Sequence, residues 1–347
     1  MNNETRLLFN AYMARVGQLN RIPDASVNFN VAPTIQQKLW QKVQESSDFL
    51  KRINMPMVNE LKGALIGMGI TGTISGRTDT DTADRLGGDP TNLDEREYEC
   101  VFTEFDVALK WALLDIWAKF PDFQTKWGSL VTNQIALELI MVGWNGTSIA
   151  KPKTDRTANP LLQDVNKGWL EKQRLENAAR VMDEGSVANQ LTYGGTGADY
   201  VSLDSLVYDA RHGLLPTWAR GDTGLVAIVG NDLLHDKYFP LINREQDAEN
   251  TLATDVIMST KRLGGLQAVE VPHFPTGTIL ITRFDNLSIY NQSGKHRRHI
   301  QDNPKRSRIE DYQSKNLAYV IEDLDYAALI ENITPYEAPE TDPEDNG

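Results

Sequence analysis

Four aspartates between positions 79 and 89 carry side chains suited to bind a metal ion. Asp79, Asp81, Asp84 and Asp89 offer carboxylate oxygens, the ligands that Ca²⁺ prefers. Their spacing departs from the EF-hand loop, which requires a further acidic or amide position, a glycine and a distal glutamate at fixed offsets. The sequence therefore favours a solvated, charged loop over a calcium site.

The other motifs for catalysis or cofactor binding are incomplete. Gly194, Gly195 and Gly197 follow polar sequence and lack a following Lys-Ser/Thr, so they indicate a loop between lobes rather than a phosphate cradle. The five histidines show no metal-binding spacing, and Cys100 falls in a predicted strand without a sign of activation. We predict a protein that is not an enzyme and has no cofactor or metal site. A carboxylate-based hydrolase is an alternative, because carboxylates are abundant.

Composition limits the class of protein further. A chain of 347 residues with 40% hydrophobic residues and seven tryptophans predicts a folded protein of two or more lobes. The net charge of -13 argues against general coating of nucleic acid, which needs clustered cations. One cysteine is typical of a reducing cytoplasm. No segment reaches the roughly 18 consecutive apolar residues of a membrane span, and the amino terminus lacks a signal-peptide pattern, so we expect neither a membrane protein nor a secreted one.

A long apolar hairpin with a polar tip is predicted over 64–109. Its outgoing arm alternates with a period of two, which is typical of a strand, and its returning arm shifts phase before Phe105, which predicts a bulge. A two-stranded ribbon is marginally stable alone in water, so a neighbouring subunit is expected to cover it. The expected contact residues are Ile66, Met68, Ile70, Ile74 and Phe102.

Helical periodicity predicts the main helices. The first twenty residues form an amphipathic pattern, and 21–33, with two prolines, predicts a linker after a detachable element. Helices are also predicted over 34–52, 122–144 and 161–182. The second of these, closed by Asn145-Gly146, would be a rod of about 35 Å. From position 201, helices alternate with short strands, including a helix over 251–263, and this mixture indicates an α+β lobe.

The densest group of cations lies between 295 and 308. It allows two interpretations, contact with nucleic acid or ion pairing with an acidic neighbour in an assembly, and the acidity of the chain favours the second. The predicted charged assembly contacts are Arg297, Arg298, Lys305, Arg306 and Arg308.

Several blocks carry a resemblance that spans essentially the whole chain. They are ETRLLFNAYMARVGQLN (4–20), QESSDFLKRIN (44–54), KGALIGMGITG (62–72), LDIWAKFPDFQ (114–124) and NPLLQDVNKGWLEKQRLENAARVM (159–182). Together they resemble the major capsid proteins of P2-like tailed bacteriophages.

The resemblance implies an α+β protein with the HK97-type capsid fold. The implied parts are a scaffold-interacting propeptide (1–30), an N-arm (31–57), an extended hairpin or E-loop (58–110), a P-domain (111–199) with its spine helix (122–144), an A-domain (200–290), a return to the P-domain sheet (291–335) and an acidic disordered tail (336–347).

The resemblance also implies a function. The chain would self-assemble into hexamers and pentamers of an icosahedral head shell, with a scaffolding protein/protease and a portal protein as partners. The shell would expand around double-stranded DNA that it holds without sequence-specific binding. Cleavage during maturation would fall near Phe29, Asn30 or Val31. The expected location is the virion, after assembly in the host bacterial cytoplasm. An encapsulin-like compartment, which would keep its amino terminus, is the alternative within the same fold.

Overall fold

The computed structural model describes residues 1–65, 67–70, 75, 77–82, 84–85, 91–94, 96–117, 119–120, 123–242 and 261–337. Its helices are α1 (Asn3–Asn20), α2 (Pro33–Glu45), α3 (Trp111–Trp117), α4 (Phe123–Asn145), α5 (Trp169–Glu176), α6 (Leu203–Leu214) and α7 (Asn231–Ile242). Its strands are β1 (Phe29–Asn30), β2 (Met57–Val58), β3 (Lys62–Ala64), β4 (Gly67–Ile70), β5 (Thr91–Asp94), β6 (Glu97–Glu99), β7 (Val101–Glu104), β8 (Val107–Lys110), β9 (Val181–Met182), β10 (Leu191–Tyr193), β11 (Val226–Val229), β12 (Arg262–Leu263), β13 (Leu266–Glu270), β14 (Ile279–Thr282), β15 (Leu287–Gln292), β16 (Arg297–Asn303), β17 (Arg308–Ile321), β18 (Ala328–Ile330) and β19 (Ile333–Pro335).

A seven-stranded sheet is built around the 14-residue strand β17. The consecutive strands β15 and β16 pair with β17 along one side, and β7 and β8 pair with it along the other, all antiparallel. The short strands β1 and β2 close the outer edge by pairing with β16 and β15. The sheet is therefore four strands wide at most, with β17 next to one edge.

Helices α2, α4 and α5 cover one face of this sheet and form the larger hydrophobic core. The rings of Trp144 and Trp169 lie 4.7 Å apart between centroids, and Trp169 donates from Nε1 to the Ser288 carbonyl at 3.1 Å. A Cβ at Gly143 would lie 2.3 Å from the Trp169 ring, so only glycine permits this approach of α4 to α5. The rod predicted over 122–144 is present as α4, and its 23 residues span about 35 Å.

The predicted helix over 161–182 was wrong for most of its length. Only Trp169–Glu176 is α-helical, followed by a short 3-10 turn at 178–180, because Leu162 has a positive φ of 58° and the chain then turns at Gly168 against the end of α4. The helix predicted over 251–263 falls mostly outside the described residues, and its last two residues form strand β12.

A six-stranded sheet, in the order β12-β13-β11-β14-β18-β9, forms the second lobe together with α6 and α7. All four residues of β11 are buried, as expected for a central strand covered on both faces. Strand β18 belongs to this sheet and β19 pairs with β10, so the expected return of all of 291–335 to the other sheet was wrong for these two strands.

The hairpin is shorter than predicted. Its outgoing and returning arms pair through β3 with β6 and β4 with β5, but the segment from Val101 onward joins the large sheet instead. Glu104 pairs with Ser314 and Val107 with Asp311, so equal numbers of residues separate the two pairs and the predicted bulge is not present. The change of phase lies at Cys100–Val101, where the chain passes from hairpin to sheet.

Candidate subunit contact surfaces

The root of the hairpin is fixed to the large sheet. Leu65, Tyr98 and Cys100 are buried against Ala318 and Val320, on the face of the sheet opposite to α2, α4 and α5. The guanidinium of Arg96 donates to the carbonyls of Ile321 and Glu322 at 2.9 and 2.7 Å. Burial raises the pKa of the Cys100 thiol to about 11, which keeps the thiol protonated at neutral pH, and the side chain packs as an apolar group.

Beyond this root, β4 and β5 pair only with each other among the described residues. Met68 and Ile70 lie in β4, opposite Leu93 and Thr91. The predicted contact residues Ile66 and Ile74 lie outside the described residues. Phe102 has left the hairpin and lies in β7, where its ring is 52% exposed on the uncovered part of the sheet.

Phe102 borders an open depression of about 260 Å³ on the large sheet. Tyr312, 38% exposed, and Arg297 also line this depression. Exposed aromatic rings beside an arginine are the composition found at protein interfaces. This part of the sheet is therefore a candidate contact surface, whereas the neighbouring part is covered by the root of the chain's own hairpin.

The predicted group of charged assembly contacts divides into two sets. Arg298 donates to both carboxylate oxygens of Asp311 at 2.9 and 2.6 Å, and Arg308 donates to Glu310 at 2.5 Å. These two arginines form ion pairs within the chain, and their role as assembly contacts stays a prediction. Arg297, Lys305 and Arg306 are exposed and stay predicted contacts.

A polar strip lies on the core side of β16 and β17, beneath the amino-terminal helices. The Lys315 ammonium is 5.0 Å from the centre of the Trp40 ring and 5.6 Å from that of Phe105. Burial lowers the pKa of Lys315 to about 8. Burial, and then the charge of Lys315, lower the pKa of His296 to about 3, so this imidazole is neutral at physiological pH.

The amino-terminal segment packs on its own subunit. Asn2 caps α1 by accepting from the Thr5 amide at 2.8 Å. Val16, Ala25, Phe29 and Val31 are buried with Ile300 of the sheet. The predicted cleavage positions Phe29, Asn30 and Val31 lie at strand β1, so the predicted linker over 21–33 includes a paired and buried section.

Helix α3 was missed by the sequence reading. Six of its seven residues, WALLDIW, are apolar or aromatic, yet none of them is buried. Leu113 and Ile116 are 39% and 62% exposed, and Phe120 after the helix is 62% exposed. A helix with apolar residues on all sides is normally buried, so this one indicates a surface that another chain covers. The apolar run between Lys110 and Lys119, interrupted at Asp115, was the available signal.

The acidic tip shows only local hydrogen bonding where it is described. Asp79 accepts from the Asp81 amide at 3.1 Å, and Asp81 and Asp84 are exposed. Among the described residues, no group of three or more histidine, cysteine, aspartate or glutamate side chains could hold a metal ion. None of the described helices is long and apolar enough to span a membrane.

The two lobes, the long helix and the hairpin define an α+β shell protein of the HK97 type. The structure is similar to a chain of the satellite phage P4 procapsid that includes the size determination (Sid) protein, with a TM-score of 0.80 and 43% identity over 97% of this chain and 99% of that one. A capsid chain of an empty GTA particle shares the fold alone, with a TM-score of 0.52 and 13% identity over 83% of this chain and 90% of that one.

Residues 8–333 match the model of the phage major capsid protein, P2 family, and the chain belongs to this family. It is 46% identical to the capsid protein of Escherichia phage P2, over 96% of this chain and 95% of that protein. It is 39% identical to the major capsid protein of Serratia phage KSP20, over 96% and 98% of the two chains. The predicted family, fold class and role as a major capsid protein are thus confirmed, and the chain is a structural component of the virion.

Proposed function

We propose that the chain forms hexamers and pentamers that close into the icosahedral head of a tailed phage, around double-stranded DNA held without sequence-specific contacts. The observation that carries this proposal is the uncovered apolar surface of α3, together with a hairpin whose outer strands, in the described part of the chain, pair only with each other. Both features need neighbouring subunits to cover them. Assembly takes place in the host bacterial cytoplasm, and a portal protein occupies one vertex.

The parts of the subunit take the roles given to them by the family resemblance. The segment 31–57 is the N-arm, 58–100 the hairpin whose outer part lies over a neighbour, 111–199 with α4 the P-domain, and 200–290 the A-domain around the symmetry axes. The charged contacts between subunits include Arg297, Lys305 and Arg306, which are exposed. The predicted acidic tail 336–347 lies outside the described residues from position 338 onward.

Residues 1–30 form a propeptide that binds an internal scaffolding protein and is removed near Phe29, Asn30 or Val31. The support is that α1 has exposed leucines, Leu7 at 70% and Leu8 at 46%, that its own subunit leaves free for a partner. Expansion follows as DNA enters. An encapsulin-like compartment would keep this segment and would need no scaffold.

Electron microscopy after expression with and without a candidate scaffold-protease tests the assembly proposal. Closed shells of uniform size only in the presence of the partner support it, and soluble subunits under both conditions contradict it. Mass spectrometry of mature particles tests the cleavage. An intact segment 1–21 in those particles would contradict that part of the proposal.

A further inference from the structure

The proposed cleavage segment is part of a sheet in the folded subunit. Phe29 pairs with Arg298 and Asn30 with Arg297, and the Val31 amide donates to the His296 carbonyl at 2.8 Å. Phe29 is 8% exposed and Val31 is 2% exposed. A protease binds its substrate as an extended chain whose backbone N–H and C=O groups are free to form hydrogen bonds with the enzyme. In the folded subunit, backbone groups of 29–31 are already hydrogen-bonded to β16 and to the His296 carbonyl.

Three polar contacts fix α1 to the subunit upstream of this strand. The Asn2 amide donates to Asp115 Oδ1 at 2.9 Å, Arg6 Nη1 donates to Asp302 Oδ2 at 2.7 Å, and Arg298 donates to the Tyr12 hydroxyl at 2.9 Å. Asp115 lies in α3, whereas Asp302 and Arg298 lie in β16. The helix therefore bridges two elements of the body and does not hang from a linker.

The section between α1 and β1 is attached to the folded subunit at two residues. The Ile22 amide donates to the Gly17 carbonyl at 2.9 Å, and Ala25, at 2% exposure, is buried beside Ile300. Most residues of 21–28 are nevertheless exposed, so the protected part is β1 itself, and cleavage near position 30 requires β1 to leave the sheet.

We infer that residues 1–31 form a lock in which the docked helix α1 and the paired strand β1 close the cleavage segment to proteases until the segment detaches from its own subunit. Its role in maturation rests on the proposed cleavage, whereas the protection itself is a property of the folded chain. When opening is fast relative to cutting, the rate of proteolysis follows the population of the open form. The ion pair of Arg6 with Asp302 contributes to the closed population, because it exists only while α1 is docked.

The test is digestion of the purified full chain with proteinase K, a protease of low specificity, with the cut sites mapped by mass spectrometry. We expect the bonds at residues 29–31 to be cut in the wild type at least tenfold more slowly than in a synthetic peptide of residues 20–36. Arg6→Ala should raise the rate of cutting at these bonds about fivefold, the size expected for losing one charge-assisted hydrogen bond near the surface. Arg15→Ala is the matched control, since Arg15 lies in the same helix, is exposed and has no partner among the described residues.

Asp302→Asn gives a second route to the same result, because it removes the charge that Arg6 pairs with and leaves an oxygen for the Trp111 indole N–H. It should also raise the rate, and combining it with Arg6→Ala should add little. Cutting of α4 at an unchanged rate shows that the variants remain folded.

A wild-type segment cut as fast as the peptide would overturn the inference, as would equal rates in Arg6→Ala and Arg15→Ala. Because proteinase K replaces the phage protease, a failure here is separate from a failure of the proposed maturation cleavage, which is read from mature particles.

Discussion

The ammonium of Lys315 lies 5.0 Å from the centre of the Trp40 ring, inside the contact between α2 and the large sheet. Lys315 is 3% exposed, and among the described residues it forms no ion pair with a carboxylate. The attraction of a cation to an indole face partly offsets the loss of hydration. Trp40 in turn donates from Nε1 to the Met55 carbonyl at 3.0 Å, so one tryptophan ties α2 to the chain that follows it and shields a buried charge.

Replacing this lysine by an apolar side chain of similar length should stabilise the subunit. Burial lowers the pKa of Lys315 to about 8, which means that holding its charge at pH 7 costs free energy. We expect Lys315→Met to raise the free energy of unfolding by about 1–3 kcal/mol, as when other buried charges are replaced by apolar groups. Urea denaturation followed by tryptophan fluorescence measures this change.

The control for Lys315→Met is Lys42→Met, in which an exposed lysine of the same helix α2 that carries Trp40 is replaced. It should change the free energy of unfolding by less than about 0.5 kcal/mol. A loss of stability in Lys315→Met greater than in the control would contradict the expectation, and would mean that the cation–π contact outweighs the desolvation of the ammonium.

Stability should fall as the pH drops through the range in which an unfolded histidine becomes protonated. The pKa of His296 is lowered from 6.5 to about 3 by burial and by the charges of Lys315 and Arg298. The unfolded chain therefore binds one more proton than the folded chain between those two values, so this group's contribution is complete above pH 6.5 and is lost as the pH falls toward 3.

His296→Gln isolates this contribution, because glutamine does not titrate and its amide can still reach Gln313. Urea denaturation at pH 7.5, 6.5, 5.5 and 4.5 gives the free energy of unfolding at each pH. Below about pH 6 this free energy should fall more steeply with decreasing pH for the wild type than for the variant, and the difference in slope should correspond to about one proton bound on unfolding. Parallel curves for the two proteins would rule out His296 as the group responsible.

The exposed ring of Phe102 should matter for assembly and not for folding. Because this side chain is 52% exposed in the subunit, Phe102→Asp should leave the stability of the isolated chain within about 1 kcal/mol. In a shell, a buried and unpaired carboxylate would oppose the contact, so the yield of sedimenting particles should fall at least tenfold. Phe102→Tyr, which keeps the ring, is the control, and wild-type yields for the aspartate variant would contradict Phe102 as a contact residue.

Periodicity in the sequence located the elements whose apolar residues repeat without interruption. Helix α4 is central to the core, so local pattern and tertiary environment agree there. It failed over 161–182, where the contact between Gly168 and the end of α4 overrides the helical pattern. The sequence pattern placed the switch in which side chains face the core before Phe105, whereas it lies at Cys100–Val101. Residue order alone does not tell that β7 pairs with β17 and not with the outgoing arm of the hairpin. The pairing of Arg298 with Asp311 was hidden for the same reason, since thirteen positions separate the two residues.

Helix α3 gives the sharpest test of the assembly surface. Ile116 and Phe120 are each 62% exposed, so the double variant Ile116→Ser, Phe120→Ser removes apolar area that the isolated subunit already leaves in water. The free energy of unfolding of the isolated subunit should change by less than about 1 kcal/mol. The free energy of association should fall by several kcal/mol at each subunit contact, because each Å² of apolar surface that is no longer buried costs roughly 25 cal/mol. Analytical ultracentrifugation under assembly conditions should then show subunits in place of shells. Ile116→Leu, Phe120→Leu keeps an apolar surface of similar area and should assemble. If both double variants form particles in wild-type yield, α3 is not covered by a neighbour, and its apolar composition requires another cause.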